Sequence, residues 1–113
     1  MAKVFLDANI LVDILEKRGG FSLAQFDNQE IYASTLSIHI MFYVSKKKIP
    51  YDLIPEILLD VNLVNFTHDI TKKALLGPTE DFEDNVQIHS ASDAECDIFL
   101  TEDKKLLNMK NYL

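Results

Sequence analysis

The amino-acid sequence predicts one α/β domain over residues 1–113, in which helices cover a parallel β-sheet. Two observations support this prediction. Short apolar runs typical of buried strands alternate with segments whose apolar residues recur at helical spacing. The chain has the length of one domain, and 48% of its residues are hydrophobic, which is enough for one core. Alternating strands and helices are typical of βαβ units, whose strands run parallel.

The first strand–helix unit lies at the start of the chain. Residues 3–6 form a short apolar strand, and residues 10–18 have apolar side chains at helical spacing. Asn9 is a residue type that caps helices, and Gly19 and Gly20 are the type that ends them. We therefore expect a buried strand, a turn that contains an acid, and a helix.

A second unit follows directly. Residues 30–33 form the next strand, and Ser34 or Thr35 is expected to cap a helix over residues 36–48. The three lysines that end this segment would complement the helix dipole in the last turn. Pro50 then stops the helix.

The second half of the chain continues the alternation. The predicted elements are a helix over about 52–59, a strand over 61–66, a helix over 68–77, an amphipathic helix over 81–95 and a strand over 97–100. We expect the apolar side of the amphipathic helix to consist of Phe82, Val86, Ala91 and Ala94.

Composition limits the possible functions. The net charge of −7 argues against a general nucleic-acid binder, which needs basic surface, but a nuclease whose bound cations reverse the local field is compatible with it. No apolar run is long enough to span a membrane, and Asp7 and Asp13 interrupt the N-terminal one. We expect a cytoplasmic protein, with its one cysteine, Cys96, buried as a structural thiol.

Several acidic residues fall where the strands end. Ligands of open parallel sheets bind outside the carboxyl ends of the strands. Asp7 directly follows the first strand, and Asp103 follows the last one by three residues. Asp81 and Asp84 lie in the first turn of the helix that leads to the last strand, three residues apart and able to face the same side. Glu83, between them, should point elsewhere.

These acids indicate a metal site. Carboxylates that lie close together repel each other unless a cation neutralises them, and oxygen ligands suit Mg²⁺ or Mn²⁺. Such an ion can activate water and stabilise a phosphoryl transition state. Asp7, Asp84 and Asp103 are the expected ligands, and the expected chemistry is phosphodiester hydrolysis. On spacing alone, Asp81 is equally well explained as an acid that complements the helix N-terminus.

Three segments resemble motifs of the PIN domain family in the correct order. FLDANILVDIL resembles the opening motif, IYASTLSIHIMFYV the second strand and helix, and EDFEDNVQIHSASDAECDIFLTEDKKL the closing motif. The resemblance implies a three-layer PIN-like fold, with a parallel sheet of four to five strands flanked by helices. It also implies a Mg²⁺- or Mn²⁺-dependent ribonuclease. Small bacterial members are commonly dimeric toxins of toxin–antitoxin pairs, each inhibited by a small antitoxin protein.

The resemblance assigns roles to individual residues. It places Asp7, Asp84 and Asp103 at the metal, with Asp81 as an additional acid. The polar positions that orient these carboxylates in the family match Asn9, Ser34 and Thr101.

One departure from the family pattern bears on activity. Active members have a glutamate in the helix after the second strand, and the matching position here is Ile40, or His39 if the register slips by one. The alternative function is therefore a catalytically impaired PIN-fold binding or assembly module. The chain also ends soon after Asp103, so the family's last edge strand should be short or absent.

Overall fold

A four-stranded, fully parallel sheet forms the centre of the structure, a computed structural model that describes residues 1–17, 20, 22–52 and 59–102. The strands are β1 (Lys3–Leu6), β2 (Glu30–Ser34), β3 (Asn62–Val64) and β4 (Ile98–Leu100), in the spatial order β3-β2-β1-β4. The helices are α1 (Ala8–Leu15), α2 (Thr35–Ser45), α3 (His68–Leu76) and α4 (Phe82–Asp93), with a short 3₁₀ helix at Leu23–Phe26. This architecture confirms the predicted α/β class.

The central strand is β1, with β2 on one side and β4 on the other. Val4 pairs with Ile31 of β2 and with Ile98 of β4. Because all four strands are parallel, their carboxyl ends lie along one edge of the sheet. Residues that follow different strands, such as Asp7 and Thr101, are thereby brought together.

Alternate residues of β1 face the two helical layers, as the pleat of a strand requires. Val4 and Leu6 pack in a cluster with Ile10, Leu11, Val12 and Met41 of α1 and α2. Phe5 instead packs with Ala91 of α4 and with Cys96, and its ring stacks on that of Phe99 at 5.5 Å. The strand is buried on both faces, which explains why its sequence is a continuous apolar run rather than an alternating one.

The boundaries of α1 differ from the prediction. Asp7, not Asn9, is the N-cap, and the helix ends at Leu15, before the predicted glycines. Lys17 has a positive φ of 55°, a conformation that α-helix cannot continue through. Of the two glycines, Gly19 lies outside the described residues.

Helix α2 is capped by Ser34, as predicted, but it is shorter than expected. It ends at Ser45, and Lys46 has a left-handed φ of 54°. The prediction that three lysines occupy its last turn is therefore wrong, because Lys46, Lys47 and Lys48 follow the helix as exposed residues. The predicted helix over 52–59 falls largely on residues 53–58, outside the described part of the chain.

The buried side of α4 is more polar than the sequence pattern indicated. Val86 and Ala91 are buried as predicted, but Phe82 is exposed and Ala94 is only half-buried. The additional buried residues are Asn85, Gln87, Ile88 and Ser90. The predicted site residue Asp103 and any fifth strand lie beyond Glu102, outside the described residues. Within the described residues, no helix is long and apolar enough to cross a membrane.

Candidate functional site

Asp7 lies at the carboxyl end of the central strand and is only 5% exposed. Its Oδ1 accepts a hydrogen bond from the Ala8 N–H at 2.8 Å, and its Oδ2 accepts one from the Thr101 hydroxyl at 2.7 Å. Its own N–H donates to the Leu100 carbonyl at 3.0 Å. A buried carboxylate is costly unless donors satisfy it, and these bonds hold the group between β1 and β4.

The local sequence explains why Asp7 adopts this position. The residue has extended backbone dihedrals, φ −64° and ψ 157°, and caps α1, which begins at Ala8 without an intervening loop. The N-terminus of a helix carries partial positive charge, which favours a carboxylate there. Strand, acid and helix follow one another so closely that the acid stays at the edge of the sheet.

The two strands that pair with β1 are also followed by, or end in, polar residues. Ser34, at the end of β2, is fully buried, and its hydroxyl accepts a hydrogen bond from the Leu36 N–H at 3.0 Å. Thr101, directly after β4, is 6% exposed. Asn9 lies in the first turn of α1 and is exposed, so the role predicted for it stays a prediction.

Helix α4 has three acids in and before its first turn, and two of them, Asp81 and Asp84, are predicted site residues. Asp81 is the N-cap, and its Oδ1 accepts a hydrogen bond from the Asp84 N–H at 2.9 Å. Asp81 is exposed, whereas Asp84 is half-buried. Asp81 is thus the N-cap of α4, and the role predicted for it as an additional acid stays a prediction.

Asn85 is the residue that anchors the beginning of α4, and the sequence-based prediction missed it. Its Oδ1 accepts hydrogen bonds from the Thr79 N–H at 2.8 Å and the Thr79 hydroxyl at 2.6 Å. Its Nδ2 donates to the carbonyls of Ala74 at 2.8 Å and Thr79 at 3.0 Å. The bond to Ala74 ties the first turn of α4 to α3, and the three bonds to Thr79 fix the loop between the two helices. The only sequence signal for this role of Asn85 was that a polar residue follows the candidate metal ligand Asp84.

A buried hydrogen bond also joins α4 to α2. The Ser37 hydroxyl donates to Gln87 Oε1 at 3.1 Å, and both side chains are almost completely buried. The two helices pack on opposite faces of the sheet, so this bond connects the helical layers at the edge where the acids lie. No hydrogen-bond partner for Gln87 Nε2 or Ser90 Oγ lies among the residues that the structure describes.

The position of the missing family glutamate lies in a groove of about 390 Å³. Ile40 lines this groove together with His39, Tyr43 and Val44 of α2, and Glu83 of α4 lines it as well. Glu83 thus places a carboxylate in the groove that contains Ile40, although the sequence pattern only indicated that it points away from Asp84.

The described residues do not by themselves complete a metal site. Among residues 1–17, 20, 22–52 and 59–102, no group of three or more His, Cys, Asp or Glu side chains is placed to hold a metal ion. Asp7 and Asp84 are the described members of the predicted set, and Asp103 lies outside the described residues. The predicted ligands are all carboxylates, and this donor chemistry fits Mg²⁺ or Mn²⁺ rather than a softer metal.

Cys96 does not take part in this site. It is buried, as predicted, and burial raises the pKa of its thiol to about 11. The reactive form of cysteine is the thiolate, which this pKa suppresses at neutral pH.

Comparison with protein families gives one match of direct relevance. The family model described as PIN domain matches residues 3–105, from β1 to beyond β4. No curated protein matches the chain. The matched range includes each of the acids and polar residues discussed above.

Proposed function

The chain belongs to the PIN domain family, and from that premise we propose that it is a divalent-metal-dependent ribonuclease that hydrolyses RNA phosphodiester bonds. We also propose that residues 1–113 form one PIN-like domain. Family membership supports a nuclease-type function. The divalent-metal dependence and the RNA substrate are part of our proposal. The observation that best supports it is the buried Asp7 carboxylate, held at the carboxyl edge of the sheet by Ala8 and Thr101.

In this proposal Asp7, Asp84 and Asp103 hold Mg²⁺ or Mn²⁺, and Asp81 supplies an additional acid nearby. When bound, such an ion polarises a phosphoryl oxygen and lowers the pKa of a coordinated water. The protein's own contribution is orientation. The Thr101 hydroxyl and the Ala8 N–H each hold one oxygen of Asp7, so the carboxylate is fixed before any ligand arrives.

The polar residues beside Asp7 extend this orientation. We propose that Ser34 and Asn9, together with Thr101, position the carboxylates at the edge of the sheet. Ser34 also caps α2, and so it fixes the start of the helix that contains Ile40. The anchoring of α4 by Asn85 keeps Asp84 at the same edge.

A second candidate function follows from Ile40. An apolar side chain occupies the position that matches the glutamate of active family members. In this alternative the chain is a catalytically impaired PIN-fold module that binds or assembles with a partner.

Resemblance to small bacterial members extends the proposal to biological context. It suggests the toxin of a toxin–antitoxin pair, acting in the cytoplasm as a homodimer that a small antitoxin protein inhibits. Sedimentation of the purified chain tests the dimer, and growth arrest on induced expression tests the toxin.

The first experiment is calorimetric titration of Mn²⁺ into the metal-free protein. We expect binding in the native chain and its loss in Asp84→Asn. The matched control is Asp93→Asn, which makes the same substitution at an exposed acid at the other end of α4 and should bind as the native chain does. Equal binding by all three proteins would contradict the assignment of Asp84.

Cleavage of a labelled single-stranded RNA then separates the two candidate functions. Cleavage by the native chain in Mn²⁺, abolished by EDTA and by Asp84→Asn, supports the ribonuclease. An inactive native chain that gains cleavage in Ile40→Glu supports the impaired module, because the restored carboxylate would then be the missing component.

A further inference from the structure

Two aromatic side chains form an exposed surface on α2. His39 and Tyr43 are one helical turn apart, with ring centroids separated by 6.3 Å and ring planes inclined by 26°. Tyr43 is 77% exposed, and His39 is exposed as well. Near-parallel rings that face solvent offer the kind of surface on which nucleobases stack.

These rings belong to the groove that contains Ile40 and Glu83. Its volume of about 390 Å³ falls within the usual range for sites that bind small organic groups, about 300–1,000 Å³. Its walls combine aromatic and aliphatic side chains of α2 with one carboxylate, that of Glu83, from α4. Glu83 directly precedes Asp84 in α4, so the groove is lined by the neighbour in sequence of a candidate metal ligand.

The charges within and beyond the groove differ in sign. The Glu83 carboxylate disfavours a phosphate inside the groove. Lys46, Lys47 and Lys48 are exposed, and their run begins three residues after Tyr43. These lysines supply positive charge just after α2, which favours the negatively charged backbone of a nucleotide whose base enters the groove.

We propose that this groove is a base-binding subsite that takes a guanine of single-stranded RNA, an inference that rests on the proposed ribonuclease function. The base stacks on His39 and Tyr43. A carboxylate only accepts hydrogen bonds, and the Watson–Crick edge of guanine presents two adjacent donors, N1–H and the N2 amine. The corresponding edge of uracil has a single donor between two acceptors, so Glu83 selects guanine.

The test measures RNA binding without cleavage. In EDTA, fluorescence anisotropy compares a labelled heptanucleotide with one guanine between two runs of three uracils against the all-uracil heptanucleotide. We expect the native chain to bind the guanine-containing strand about tenfold more tightly. Tyr43→Leu should lose most of the affinity for both strands, whereas Tyr43→Phe, which keeps the ring, should retain it. Glu83→Gln should remove the preference for guanine and keep binding of the all-uracil strand.

Native affinity in Tyr43→Leu, or an unchanged guanine preference in Glu83→Gln, would overturn the subsite. The subsite would also be overturned if sedimentation showed that Tyr43→Leu dissociates a dimer while RNA binding is unchanged. In that case a second copy of the chain would occupy the groove. The two proposals fail separately. Guanine preference without Mn²⁺ binding or cleavage refutes the ribonuclease alone, and metal-dependent cleavage without guanine preference refutes the subsite alone.

Discussion

Replacing Thr101 by valine tests how Asp7 is held. Valine has nearly the shape of threonine but lacks the hydroxyl that donates to Asp7 Oδ2 at 2.7 Å. Asp7 is 5% exposed and Thr101 is 6% exposed, so water has little access to replace the lost donor. We therefore expect Thr101→Val to lower the free energy of unfolding.

The expected size follows from the type of bond. A buried hydrogen bond to a charged group contributes about 1.5–3 kcal/mol to stability. With a urea dependence of about 1–3 kcal/mol per molar, a loss of about 2 kcal/mol lowers the unfolding midpoint by about 1 M. If Asp7 binds metal, Mn²⁺ affinity should also fall by about 10- to 100-fold, as is typical when a residue that orients a ligand is removed.

Urea denaturation followed by circular dichroism measures this change in metal-free protein. Thr101→Ser keeps the hydroxyl and should remain close to the native stability. Thr71→Val removes a hydroxyl that bonds to the Thr67 carbonyl at the surface, and it should cost less than about 0.5 kcal/mol. A Thr101→Val protein within about 0.5 kcal/mol of the native chain would refute the role of this hydrogen bond.

Three further predictions concern two buried side chains outside the Asp7–Thr101 contact, Asn85 and Cys96. Asn85→Ala removes four hydrogen bonds and leaves the Ala74 carbonyl and the Thr79 N–H without their side-chain partner. Urea denaturation should therefore show that the free energy of unfolding falls by about 2–4 kcal/mol. A fall of less than about 1 kcal/mol would contradict the anchoring role. The Cys96 thiol has its pKa raised by burial from 9.0 to about 11, so iodoacetamide at pH 8 should label it in urea but not in the folded chain. The pKa of Cys96 is higher in the folded state than in the unfolded state. The native chain should therefore lose stability relative to Cys96→Ala as the pH rises from about 9 to about 11. If the free energies of unfolding of the two proteins change equally with pH, the raised pKa is contradicted.

The sequence predicts the order of strands and helices well because buried parallel strands and their crossover helices have distinct local patterns. It predicts Asn9 instead of Asp7 as the cap of α1, since both are good capping residue types and nothing local favours the earlier one. It also extends α2 too far, because lysine is a good helix former and nothing local marks the left-handed turn at Lys46.

Long-range contacts explain the remaining differences. Gln87 is buried in α4 because it bonds to Ser37, which lies 50 residues away in the chain. Tyr43 is exposed although α2 is almost entirely apolar, so no hydrophobic stripe shows which side of the helix packs on the sheet. In both cases the tertiary fold, and not the local sequence, decides whether the side chain is buried or exposed.

The hydrogen bond between Thr101 and Asp7 also orders events in time. The two residues are separated by 94 positions, and ribosomes add about 5–20 residues per second, so roughly 5–20 seconds pass between their syntheses. During that interval the growing chain contains Asp7 but lacks both β4, which pairs with β1, and the Thr101 hydroxyl that orients the carboxylate. Until Thr101 has been synthesised, the nascent chain therefore lacks the hydrogen bond that orients the Asp7 carboxylate.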